Sequence, residues 1–328
     1  MPNVTSVALQ PIKNNWIKIS IAVGLVIVAI AAAILYRLLQ DIELARIVGA
    51  LQEKSAASIL VALGCVMAGY CTLTAYDFFA LRAIGKKDVP YRIAALASFT
   101  SYTIGHNLGA TVFTAGVIRY RVYSSWKLSV LDIAKMAFIT GLTFWLGNTF
   151  VLGVGMAYDP AAASAVNQLP LLANRIIGFA GLAVIVGYLF WLLPRPRVVG
   201  RSSWQVVLPS ARLTFVQIGI GILDLACSGL AMYALLPAEP AIDFITLLVI
   251  FVTALLLGFL SHAPGSLGVI EAAMLLALPQ FPKEGLLASL LIFRFIYFIL
   301  PLCCAVLLLG ARELWLNTAA RKLPPAVL

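Results

Sequence analysis

The chain reads as an all-α polytopic membrane protein, with about six full spans and two opposed re-entrant helical hairpins in an inverted repeat. Three observations predict this. Of its 328 residues, 62% are hydrophobic and only 11% charged, against about 25% charged in soluble domains. Apolar runs of about 20 residues, the length that crosses a bilayer, recur from end to end. Two apolar stretches are broken by polar and helix-breaking residues at corresponding places. Residues 1–328 are therefore expected to form a single integral membrane domain, with repeat halves at about 57–158 and 213–310 and no room for a soluble catalytic domain.

The first span is expected from Trp16 to Tyr36, with Trp16 and Tyr36-Arg37 as interfacial anchors. Its apolar run is too long for a signal-peptide core and has no small-residue cleavage site, so it is expected to be retained. Gln40 to Ser55 carries Asp41, Glu43, Arg46, Glu53 and Lys54 and suits a short amphipathic helix. The second span, Ala57 to Ala80, bears Asp77 near its end. Ile93 to Ile118 is apolar but rich in Ser, Thr and Gly. Basic clusters flank it on both sides, Arg82, Lys86, Lys87 and Arg92 before it and Arg119, Arg121 and Lys127 after it. Both flanks favour the cytoplasm, so this segment enters and returns as the first hairpin.

The third span, Ile133 to Tyr158, leaves into a loop without Lys or Arg, Asp159 to Pro170. The fourth, Leu171 to Leu193, returns to Arg195, Arg197 and Arg201. The fifth, Leu213 to Leu236, has Asp224 at its middle and leads to the acidic, Pro-rich loop Pro237 to Asp243. Ile245 to Leu260 and Ala272 to Leu278 then form the second hairpin, entered from outside. The last span, Gly285 to Gly310, carries Arg294 and ends before Arg312, Arg321 and Lys322. This topology puts both termini on the cytoplasmic side; that the membrane is a bacterial cell inner membrane is what the family resemblance of the motifs below implies. The net charge of +10 then belongs to short inside loops and anionic lipid headgroups. The implied partner is membrane phospholipid, not nucleic acid, and a second copy of the chain is compatible with it; a separate synthase is a partner that only the family resemblance of the motifs below implies.

The second break, Ser261-His262-Ala263-Pro264-Gly265-Ser266-Leu267-Gly268-Val269-Ile270-Glu271, organises the rest. Pro264 removes a backbone donor and Gly265 and Gly268 favour non-helical angles. At membrane depth such backbone is tolerated only where protein buries it or it lines a watery cavity. A helix starting near Leu267 would turn free N–H groups into the break. The alternative is an ordinary kinked helix with a satisfied Glu271. Asp77, Asp224, Glu271 and Arg294 are the charges deepest in apolar segments, and intramembrane charges mark function or pair with one another. Glu271 and Arg294 are the expected pair, with fixing helix register as the competing role. Arg119 and Arg121, beside Tyr120 and Tyr123, suit bidentate phosphate capture at the cytoplasmic edge, or plain snorkelling.

The two histidines, His106 and His262, both fall in the breaks and suit hydrogen bonding or proton carriage. They lack the spacing of a zinc site, and no nucleophile elbow occurs, so no metal, cofactor or catalytic residue is expected. The five Cys lie in apolar runs without ligand or disulfide spacing and read as packing residues.

The second break resembles the P-G-G-x-G-x-x-E signature of a known family, with Ser266 where the pattern has its second Gly. Gly105-His106-Asn107, with Gly116-Val117-Ile118-Arg119-Tyr120-Arg121, resembles its first-half signature. The family is the transmembrane region of the lysylphosphatidylglycerol synthetase/flippase proteins and their stand-alone bacterial inner-membrane relatives. The resemblance spans roughly Trp16 to Arg312. It implies a flippase-like domain that binds or translocates phospholipid, aminoacylated or otherwise phosphate-bearing, through a polar midplane cavity. Asp77, His106, Asn107, Arg119, Arg121, Asp224, His262, Pro264, Gly265, Gly268, Glu271 and Arg294 are its candidate transport residues. Two other readings stay open: a membrane-embedded lipid-modifying enzyme using His106 or His262 as base, and an accessory protein whose polar residues join helices.

Overall fold

A computed structural model describes residues 29–37, 44–109, 111–193, 197–201 and 204–321. The start of the expected first span, 16–28, lies outside them. Its end is helix α1 (29–37), which packs through Ala31 on the second hairpin at Val269 and Ala272. The amphipathic segment is α2 (Leu44–Gln52).

The centre is an antiparallel pair, α3 (Ala56–Ala83) and α9 (Ala211–Leu235). Ser55 starts α3 by accepting the Ser58 N–H at 3.1 Å. Lys54, just before it, donates to the Leu235 carbonyl at 2.7 Å, a cation on the last turn of α9. Near mid-span, Gly69 lies against Asp224 and Cys227. The long helix α6 (Val130–Tyr158) is opened by a capping box between Ser129 and Asp132 and packs on both α9 and α8 (Leu171–Leu192). Gly147 of α6 and Gly221 of α9 let the backbones touch; a Cβ on Gly147 would sit 2.6 Å from the Gly221 Cα. With no hydrophobic drive between helices in lipid, such close approach carries the association. Gln217 adds a hydrogen bond to Thr143 at 2.7 Å.

Two helical hairpins insert between these helices. The first is α4 (Tyr91–Leu108) with α5 (Thr111–Tyr123). Its open ends join the end of α3 and the start of α6 in one apolar cluster, through Ala97, Tyr123, Leu81 and Met136. The second is α10 (Phe244–Ser261) with α11 (Val269–Ala277), and both arms pack on α7 (Pro160–Asn167). Thr246 fixes that end through a 2.8 Å hydrogen bond to Asp159. Because α6 begins in the first cluster and ends at α7, the hairpins open at opposite ends of a 29-residue helix, about 43 Å long.

Among the described residues, six helical stretches are long and apolar enough to cross a membrane: α3, α6, α8, α9, α10 and Lys283–Trp315. The expected count is met by a different set. At 18 residues α10 alone qualifies as a span, whereas the sequence reading assigned it half of a hairpin. The basic loop after the fourth span holds an antiparallel ribbon of β1 (Val198–Arg201) and β2 (Trp204–Val207). The loop Asp159 to Pro170 contains α7, started by Asp159 accepting two N–H groups with Pro160 in the first turn.

The last span is α12 (Lys283–Arg294) and α13 (Leu300–Arg321), joined by a π-helical turn at Phe295–Ile299. Its cause is Pro301. Without an N–H, Pro301 leaves the Tyr297 carbonyl with no donor in the α-helical ladder. The chain widens, Leu300 N–H bonding the Phe295 carbonyl. Tyr70 then donates to the Tyr297 carbonyl at 2.9 Å, and Asn107 to the Phe298 carbonyl at 3.2 Å.

Candidate functional site

The tips of the two hairpins meet. Gly109, at the end of α4, has φ +75°, and a Cβ there would lie 2.9 Å from the His262 carbonyl. The second tip turns through His262 (φ 55°), a single 3-10 turn at Pro264–Ser266 and Gly268 (φ 77°). Ser266, standing where the family pattern has Gly, also takes positive φ, 51°. The turn keeps its left-handed geometry despite the side chain.

Above this contact lies a cavity of about 190 Å³. Its polar lining comes from four elements: His106 and Tyr102 of α4, Asp224 and Ser228 of α9, Asn148 of α6 and His262 at the tip. Leu73, Phe144, Leu255 and Phe259 make most of the remaining wall apolar. Val112 and Phe113, also in the lining, are 61% and 80% exposed, so the cavity opens at the surface of the bundle beside the start of α5.

Four of the deep charges cancel in two pairs. Asp77 and Arg119 are 0% and 3% exposed. Arg119 Nε lies 3.1 and 3.0 Å from the two Asp77 oxygens and its Nη2 2.6 Å from Oδ1. Tyr123 donates to Asp77 Oδ2 at 3.0 Å, and the guanidinium lies 4.8 Å over the Tyr102 ring. This corrects the expectation that Arg119 waits at the membrane edge for a headgroup: its fork is filled by Asp77, 42 residues back on the neighbouring helix. Arg121, one residue further on, is exposed and pairs with Glu313 at 3.0 Å.

The second pair is Glu271 with Arg294. Arg294 Nε donates to Glu271 Oε1 at 2.7 Å and its Nη2 reaches the same oxygen. Both residues also hold the tip. Glu271 Oε2 accepts the Gly268 N–H at 2.9 Å, and Arg294 Nη1 donates to the Gly265 carbonyl at 2.9 Å. Neither lines the cavity. Asn107, expected as a transport residue, likewise spends its amide on the carbonyls of Thr103 and Phe298.

Of the sequence-predicted residues, the structure therefore brings His106, Asp224 and His262 together at the cavity. Asp77, Arg119, Asn107, Gly265, Gly268, Glu271 and Arg294 brace the helices that form it, and Pro264 lies against Gly109. Asp224 forms no ion pair among the described residues, and no Lys or Arg lines the cavity with it. Sequence reasoning missed Asn148, Ser228 and Tyr102. The signal was there for Asn148, an amide set deep in an apolar 29-residue helix and 3% exposed.

Comparison with known proteins fits this architecture. No family model matches the chain. It is 27% identical over 282 residues to the inner membrane protein YbhN of Escherichia coli K12, covering 83% of this chain and 84% of that one. A stretch of 69 residues is 38% identical to phosphatidylglycerol lysyltransferase of Staphylococcus haemolyticus, 20% of this chain and 8% of the enzyme. Over 264 residues it is 33% identical to the uncharacterized protein slr0712 of Synechocystis sp., 80% of this chain and 81% of that one. With six apolar helices among the described residues behind that likeness, the chain is an integral membrane protein of the slr0712 family, related to YbhN.

Proposed function

We propose that this protein takes the headgroup of a membrane phospholipid into the cavity between the hairpin tips and passes it between the leaflets. The observation that carries the reading is the meeting of two broken, oppositely opening hairpins at a mostly apolar cavity with a few convergent polar groups. Irregular backbone at membrane depth is tolerated where it borders such a cavity, and paired interrupted segments point to a midplane site. In this topology both hairpins are re-entrant and the halves at about 57–158 and 213–310 are an inverted repeat. The end bearing Lys86, Arg121 and Arg312 is cytoplasmic, following the positive-inside rule. The headgroup sits among His106, Asn148, Ser228 and Asp224 while its acyl chains leave past Val112 and Phe113 into the bilayer.

The relative of known name that matches over 69 residues modifies phosphatidylglycerol, which directs the reading towards phospholipid rather than a soluble solute. Its transferase activity is not part of the proposal. An enzyme using His106 or His262 as base finds less support: among the described residues neither imidazole pairs with a carboxylate, and His262 Nδ1 meets only the Leu260 carbonyl at 2.8 Å.

The test is translocation of headgroup-labelled lipids in proteoliposomes. The wild-type protein is expected to equilibrate label across the bilayer faster than empty liposomes. Asn148→Leu with Ser228→Leu, which makes the cavity apolar, is expected to cut the rate at least tenfold, about 1.4 kcal/mol in the barrier. Wild-type translocation no faster than empty liposomes, across several lipid mixtures and ion gradients, rejects the reading.

A further inference from the structure

Among the described residues five charged side chains lie deep between the helices, and four of them neutralise one another in the pairs Asp77–Arg119 and Glu271–Arg294. Asp224 is left over. It stands at the middle of α9, on the wall of the cavity, with its Oδ1 facing the bare backbone of Gly69 on α3. A carboxylate at this depth that only joined helices would be met by a donor, because an uncompensated charge in an apolar span costs a few kcal/mol. None of the described hydrogen bonds or ion pairs supplies one. An unpaired carboxylate facing a cavity that opens to the surface is placed to gain and lose a proton.

Building on the lipid-carrying reading above, we propose that Asp224 is the proton-binding residue through which lipid movement is coupled to a transmembrane proton gradient. The carboxylate takes a proton from water on one side of the membrane and gives it to water on the other, no other bond changing. The titratable groups facing it are Tyr70 and Tyr76 from α3, Tyr102 and His106 from α4, His262 from the tip, Tyr297 from the π turn and Cys227 of its own helix. From α6 comes the neutral Asn148, and from α10 Leu255 and Leu256. Helices α8 and α12 meet α9 elsewhere, at Ile218 and Leu235. With no cation among these groups, the negative charge of ionised Asp224 is uncompensated, and protonation is the local means of removing it. His262, exposed at the tip, is the neighbour best placed to pass protons to water. A metal ion is the weaker occupant, since no cluster of three His, Cys, Asp or Glu side chains forms among the described residues.

Two measurements test this. In the first, purified full-length protein in nanodiscs is titrated by infrared difference spectroscopy. A protonated-carboxyl band is expected that Asp224→Asn removes and that ¹³C-aspartate labelling of the wild type shifts. Should Asp224→Asn misfold, Asp224→Glu serves instead, its band expected to shift with ¹³C-glutamate and no longer with ¹³C-aspartate. A wild type with no such band overturns the proton site. In the second, lipid translocation is compared with and without a pH gradient at clamped membrane potential. The wild-type rate is expected to rise about fivefold or more with the gradient. In Asp224→Asn the ratio falls to one, and Asp224→Glu restores part of it. Gradient-independent translocation, or stimulation by a sodium gradient instead, overturns the coupling alone. Absence of all translocation, with the infrared band intact, overturns the coupling and the lipid-carrying reading together.

Discussion

Arg119 and Arg121 are two residues apart on one helix and have opposite fates. Two residues on an α-helix are about 200° apart, so one side chain faces the bundle and the other the surface. Arg119 takes the inner place and is consumed by Asp77, while Arg121 stays outside with Glu313. From the sequence alone the pair looked like one basic flank, because the partner of Arg119 sits on another helix and its approach depends on how α5 folds back. Glu271 and Arg294 were legible as a pair because both lie deep in apolar segments close in the chain. Removing one partner of a buried pair strands the other charge, at a cost of about 3–5 kcal/mol. Asp77→Asn is therefore expected to lower the thermal unfolding temperature sharply, and Asp77→Leu combined with Arg119→Met to recover most of the loss. For the second pair, a double-mutant cycle of Glu271→Gln and Arg294→Gln should show strong coupling; additive losses would mean that each acts through its own backbone contact, at Gly268 or Gly265.

At the scale of elements, the turns decide the architecture. Gly109 has an angle combination essentially reserved for glycine and faces the His262 carbonyl. Gly109→Ala is expected to destabilise the protein by about 1–3 kcal/mol, read as a lower unfolding temperature. Pro301 acts through what it lacks. Tyr70→Phe in the wild type leaves the Tyr297 carbonyl unpartnered, costing about 1–3 kcal/mol. In a Pro301→Ala background, where the ladder can supply an N–H again, the same change should cost clearly less; equal costs in both backgrounds would remove Pro301 as the cause of the π turn. The two tips were legible because Gly and Pro have strong local preferences. The β1–β2 ribbon was not: two strands of four residues within a basic loop show too little alternation to separate from coil. Helix α7 did carry a start signal, Asp159 before Pro160, but a short apolar stretch between spans reads as plain connection.

For the whole molecule, composition sufficed for the class and hydropathy for most of the span positions, while the stacking of α3 on α9 and the meeting of the tips are tertiary and have no local signature. The proposed topology makes a direct prediction. On a background without the native Cys, thiols introduced at Lys87 and Ser124 should both be shielded from impermeant reagents in intact cells, and one at Gln280 should react. Labelling at only one of the first two sites would turn the α4–α5 hairpin into a single crossing. Gly109 against His262, with Gly265 beside Asn107, is the place where the two halves of the chain touch at their tips. Because the tips meet at van der Waals distance, neither can advance towards the other without displacing it. In the proposed topology, a wedge lodged at this point would meet both hairpins at once.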